Sequence, residues 1–135
     1  MADFPIEHLR RRPDFLAAAK ACTCARGAVS GQARPRDDGE AKVRVGFTAT
    51  RRIGGSVERN RAKRRLREAA RLCVPLHGLA GCDYVFIARG GTARRDWALL
   101  VQDMTGVLAR LRNDIANRSG PPTAPTVPAA PAPGS

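Results

Sequence analysis

Between Lys42 and Cys73 the spacing of apolar side chains changes from every second residue to every third or fourth, and two adjacent glycines mark the change. In KVRVGFTATR, Val43, Val45, Phe47 and Ala49 alternate with Arg44, Gly46, Thr48 and Thr50, the pattern of a strand with one packed side. Beyond Gly54 and Gly55, Ala62, Leu66, Ala69 and Cys73 fall in one stripe at helical spacing. Ser56 is placed to cap the new helix, Glu58 suits the positive end of its dipole, and the helix is expected to stop before Pro75. A strand therefore runs through a glycine turn directly into an amphipathic helix. Downstream, DYVFIAR (83–89) is apolar on both faces, as a central strand would be.

The flanks are less strongly patterned. PDFLAAAKAC reads as a short first helix with Asp14 as N-cap and Phe15, Ala18, Ala19 and Cys22 on one side. Between Thr23 and Ala41 a weak strand is expected near 28–33, followed by an exposed turn carrying Asp37, Asp38 and Glu40. A last helix is predicted over 96–112, where Trp97, Leu100, Val101, Met104, Leu108 and Leu111 step by three or four as a core-facing stripe. The final seventeen residues hold six prolines and no charged side chain. They cannot bury a core and are expected to be extended and disordered. The chain thus divides into one domain, 1–118, and a tail, 119–135.

Charge narrows the function. Lys+Arg 24 against Asp+Glu 12 leaves a net +12, which favours polyanionic partners. Only Lys20, Lys42 and Lys63 are lysines; phosphate chemistry and a GC-rich genome explain the arginine bias equally well. From Arg51 to Arg71 nine basic residues face two acids, so this one region supplies +7 of the +12. Asn60, Lys63, Arg64, Arg67 and Arg71 form a cationic stripe on a different side of the helix from the apolar one. Only Arg64 has an acid four residues further on, Glu68, so salt bridges along the helix do not account for most of these side chains. A basic zipper arm would need apolar heptads where Pro75 and glycines stand. A membrane-surface helix would need bulky apolar residues where alanines and a cysteine stand. Phosphate contact with nucleic acid fits best.

Other chemistries lack their residues. Cys22, Cys24, Cys73 and Cys82 include no C-x-x-C pair, and His8 and His77 are the only histidines, which disfavours structural zinc. The N-terminus has no apolar signal stretch and no run reaches transmembrane length, so a cytoplasmic chain with reduced cysteines is expected. Nuclease chemistry by the protein itself would need clustered carboxylates or a histidine acid–base set. Asp37, Asp38 and Glu40 in a flexible turn make neither.

The stretch RVGFTATRRIGGSVERNRAKRRLREAARL, residues 44–72, resembles the signature of the bacterial ribonuclease P protein subunit. That signature is a strand R-x-G-F-x-x-S-K-K, a glycine turn, then a helix R-N-x-x-K-R-x-x-R-E. The resemblance implies an α/β (α+β) sandwich: a four-stranded, mostly antiparallel sheet with three helices and a left-handed crossover through the basic helix, an exception to the usual handedness. It implies a protein that assists a catalytic RNA in removing the 5′ leader of precursor tRNA, with magnesium bound by the RNA. The partners would be ribonuclease P RNA and precursor tRNA, with no DNA or membrane, and the protein a monomer in a 1:1 ribonucleoprotein.

Carried over by position, Arg59, Asn60, Lys63, Arg64 and Arg67, extended by Arg71 on the same stripe, would contact the RNA subunit. Thr50, Arg51 and Arg52 stand where the family has S-K-K. The leader cleft, between the first helix and the sheet, would use Phe15 with Thr48, Thr50, Arg51 and Arg52. On the residues alone Phe15 reads equally as a core aromatic, and this chain has one aromatic there where the family often has two. The alternative function is a general RNA-binding or RNA-chaperone protein, which would share the ridge without the cleft.

Overall fold

The computed structural model describes residues 4–118; the proline-rich stretch lies outside them. In chain order the elements are β1 (Ile6–His8), α1 (Arg12–Ala19), β2 (Cys22–Arg26), β3 (Val29–Pro35), β4 (Val43–Thr48), a single 3-10 turn (Arg51–Ile53), α2 (Ser56–His77), β5 (Cys82–Ala88) and α3 (Trp97–Arg118). The strands form one mixed sheet in the order β1-β4-β5-β3-β2. β4 and β5 are parallel neighbours, Phe47 opposite Phe86, with α2 as the crossover between them. The hairpin β2–β3 adds to β5 antiparallel.

The sheet has five strands where four were expected. The extra one is β1, paired in parallel with β4 so that Ile6 sits opposite Val43 and His8 opposite Val45. Three residues are too few to show a period. The hairpin is also fuller than expected, since the segment around Ala28 is the second of two strands. Small and polar residues fill both, and pairing of β3 with β5 and of β2 with β3, rather than propensity, makes them strands. At their turn Gly27 has φ +55°, and a Cβ there would lie 2.3 Å from the Asp103 carboxylate. That carboxylate accepts the Ala28 N–H at 3.0 Å and Arg95 Nε at 3.0 Å, tying the hairpin to α3.

The main core lies between the sheet and α2 with α3. β5 contributes Tyr84 and Phe86, α2 its stripe Ala62, Leu66, Ala69 and Cys73, and α3 Leu100, Met104, Leu108 and Leu111, all buried. Cys73 is the small core residue expected, with its sulfur 3.5 Å from Thr105 Oγ1. Burial pushes the Cys82 thiol up to about 11, which keeps it protonated and unreactive near neutral pH.

Helix ends differ from expectation for local reasons. Ser56 is the first residue of α2 and makes no capping bond. Pro75 lies within the last turn, which runs on to His77; its missing N–H leaves the Arg71 carbonyl without its helical donor, and the helix ends soon after. Nor does Asp14 cap α1: Arg11 occupies that position, and the Asp14 carboxylate turns to Arg44 at 3.3 Å and Arg34 at 3.6 Å. Charge-assisted contacts outcompete a cap to a neutral N–H. Trp97 is not core. It opens α3 ahead of the buried stripe, is 40% exposed, and lies 5.8 Å beneath the Arg65 guanidinium.

On the other face of the sheet, α1 covers a smaller cluster of Leu9, Ala18 and Val85, with Phe15 and Ile87 at its margin. Gly46 makes this contact possible, because a Cβ there would lie 2.5 Å from Phe15 Cζ. Gly46→Ala is expected to lower stability by about 1–3 kcal/mol. Adding Phe15→Leu should recover part of that loss in a double-mutant cycle read by denaturant unfolding. Additive losses would show that the two residues do not meet.

Candidate nucleic-acid interface

Among the described residues, nothing acidic offsets most of the ridge. Asn60, Arg64, Arg67 and Arg71 are exposed and Lys63 is half-buried, while the opposite side of α2 is sealed into the core, now including Ala70 and Val74. Glu68 pairs with Arg71 at 3.1 Å rather than with Arg64. Arg59 is braced on the preceding turn, donating from Nη1 to the Gly54 carbonyl at 2.9 Å. Arg67 reaches over the half-buried Phe47, its guanidinium 5.7 Å from the ring centre. The core grips α2 along one side and leaves a row of cations held out from the other, the arrangement needed to track a phosphate backbone.

Not every arginine of the helix belongs to that row. Arg65 turns the other way, donating from Nη1 to the Thr92 carbonyl at 2.8 Å and from Nη2 to the Arg95 carbonyl. It fastens the loop before α3 to α2. Charge counting could not separate it from its neighbours, although its position off the stripe on the helical wheel is the signal that does.

The second group of site residues occupies the α1 face. Phe15 lies over Gly46, and Thr48 is half-buried on β4 opposite Ile87. Thr50, Arg51 and Arg52 are exposed in the turn that leads into α2. The structure thus brings Phe15 and Thr48 together on one sheet face, sets the ridge beyond the other, and joins the two through the turn carrying Arg51 and Arg52.

One end of the α1 face is closed by ions that sequence reasoning missed. Asp83 is fully buried and accepts from Arg44 Nη2 at 2.7 Å and Nε at 2.8 Å, from Arg36 Nη1 at 2.9 Å and from Arg34 Nη2 at 3.0 Å. Burial by itself would raise its pKa, but the bonds from Arg44, Arg36 and Arg34 prevail and hold it below the ordinary carboxylate range. Arg36 comes from the acidic turn itself, and its side chain is only 4% exposed. Among the described residues no three of His, Cys, Asp and Glu come together to hold a metal ion.

The ribonuclease P family model matches residues 5–112, a span that contains the ridge, the α1 face and the ion cluster. The chain belongs to the ribonuclease P protein family. It is 60% identical over 119 residues to the ribonuclease P protein component of Caulobacter vibrioides, covering 85% of this chain and 80% of that one. The corresponding protein of Ruegeria pomeroyi is 51% identical over 108 residues, covering 78% and 86%. Among solved structures, the ribonuclease P protein from Thermotoga maritima superposes with a TM-score of 0.65 at 26% identity, over 76% of this chain and 96% of that one. The Staphylococcus aureus protein does so at 0.64 and 21%, over 79% and 95%. The three-helix, mixed-sheet fold is that of ribonuclease P proteins, with β1 as its additional edge strand. Among the described residues, no helix is long and apolar enough to cross a membrane.

Proposed function

We propose that this ribonuclease P protein acts as the RNA-binding half of an endoribonuclease whose RNA subunit performs the cleavage, and that the reaction removes the 5′ leader of precursor tRNA in the cytoplasm. The observation that carries this reading is the row Asn60, Lys63, Arg64, Arg67 and Arg71, held rigidly by a buried helix face and largely free of acidic partners. Arg59, in the first turn of the same helix, completes it. Such a row binds phosphates but has no group able to activate water.

The acids drawn into the fold are committed elsewhere: buried Asp83 and half-buried Asp14 to arginines of the sheet, and buried Asp103 to Arg95 and the hairpin turn. The donor set therefore does not fit a protein-held catalytic magnesium, and the metal is assigned to the RNA. On the α1 face, Phe15 with Thr48 and Thr50 offers one stacking surface beside hydroxyls for the single-stranded leader, and Arg51 and Arg52 offer phosphate contacts next to it. The protein would serve as a monomer in a 1:1 complex with the RNA.

Reconstitution tests this. The chain added to a bacterial ribonuclease P RNA at low magnesium should restore release of the 5′ leader, and RNA-free protein should release none. Cleavage by the protein alone would overturn the division of labour.

A further inference from the structure

Beside the ridge, α2 and the edge strand β1 enclose a groove of about 330 Å³. Its floor is Val45 and Phe47 of β4, closed along α2 by Val74 and Pro75. Ile6, 42% exposed, makes the outer wall. Glu7, whose carboxylate pairs with Lys42 at 3.8 Å, and His8 supply polar groups, and Arg67 and Arg71, one helical turn apart, line the rim. The pairing of β1 with β4 explains the wall: Ile6 and His8 stand opposite Val43 and Val45, the residues of β4 that face α2. Apart from Arg67 at its rim, neither the helix signature nor the α1 face uses this space.

We propose that the groove receives one unpaired nucleotide of the bound RNA, its base against Phe47 between Ile6 and Val74 and its flanking phosphates on Arg67 and Arg71. The inference rests on the RNA-binding role given to the ridge and adds a subsite to it. Three observations favour a nucleotide over other occupants. The volume lies at the small end of ligand sites and suits a single base with its sugar. The apolar floor bears an aromatic ring that already carries a guanidinium, and aromatic rings and guanidinium planes are the surfaces on which splayed-out bases stack. The rim is continuous with the ridge, so a backbone following the row of cations passes the mouth of the groove. Among the described residues Arg67 has no ion-pair partner, and Arg71 has only the exposed Glu68; both are available to phosphate.

Two measurements test it. Titrating isotope-labelled protein with the four nucleoside 5′-monophosphates at millimolar concentration should shift the backbone resonances of Ile6, His8 and Phe47 together with those of Arg67 and Arg71. Inorganic phosphate should shift only the arginines. Ile6→Trp fills the groove from its exposed wall with no change of charge. It should keep the thermal midpoint and weaken binding of ribonuclease P RNA about fivefold to tenfold, the loss of one stacked base, with the salt dependence unchanged. Phe47→Leu should weaken binding similarly. Nucleotide shifts that inorganic phosphate reproduces, silence at the groove residues, or an Ile6→Trp protein that binds the RNA as tightly as its parent would each overturn the subsite. Failure of the unsubstituted protein to bind the RNA would instead strike the ridge reading itself.

Discussion

Replacing Asp83 with Asn is expected to destabilise the protein by about 3–5 kcal/mol, the cost of removing one partner from a buried ion network. The carboxylate is fully buried and takes four hydrogen bonds from three guanidinium groups. An amide of the same shape offers one acceptor oxygen and turns an NH2 toward donors. The Arg36 side chain, 4% exposed, would then be left nearly as buried and far less compensated. For a domain of this size that loss lowers Tm by more than about 12 °C. Because Asp83 joins β5 to Arg34 and Arg36 at the end of β3 and to Arg44 of β4, the damage should centre on the α1 face, with hydrogen exchange there rising before that of α3. A change below about 1 kcal/mol would show that the cluster is no more than a solvated group of charges.

The same network sets an acid limit on stability. The folded pKa of Asp83 is lowered by its arginines, so between that value and the unfolded one, about 3.9, the unfolded chain binds the extra proton. Stability therefore rises with pH across that interval. The contribution is complete above the unfolded pKa and disappears as pH falls through the folded one. Chemical unfolding followed below about pH 4 should show a steep fall for the parent and a flatter profile for Asp83→Asn.

How legible these features were depended on whether a pattern was local. The strand 43–48, the buried stripe of α2 and the doubly apolar β5 follow from periodicity, because each buries a whole face and the period records it. β1 and β2 do not: β1 is three residues long and pairs with β4, far away in sequence, while β2 is an edge strand of small and polar residues that shows no buried face. Trp97 sat on the correct helical spacing yet projects beyond the core, because the stripe says which side of a helix is apolar but not where the covering neighbour ends. The ion cluster was hidden for a related reason. Asp14, Arg34, Arg36, Arg44 and Asp83 come from four places in the chain, and only the register that sets Arg34 and Arg44 on either side of Asp83 unites them. The ridge was legible because one helix carries it all. The groove was not, since half its wall is β1.

Changing Lys63, Arg64 and Arg67 together to Gln should leave the fold nearly intact and remove most of the RNA affinity. Gln retains good helix propensity. Arg64 and Arg67 are exposed and Lys63 half-buried, so the expected stability change is within about 0.5 kcal/mol for each site, with Arg67 giving up its place over Phe47. Binding is different, because each phosphate that a cation neutralises releases a condensed counterion. The slope of log affinity against log salt should become shallower by roughly 0.7 to 0.9 for every phosphate no longer neutralised, or about two to three in all. At physiological salt the same effect corresponds to about a hundredfold weaker binding. Affinity of the parent and variant for ribonuclease P RNA across a salt series measures both quantities at once. Ile6→Trp, which changes no charge, should leave that slope alone, so the two variants separate phosphate neutralisation on the ridge from base stacking in the groove beside it. A folded triple variant with the parent's slope would mean that these three cations do not touch the RNA backbone.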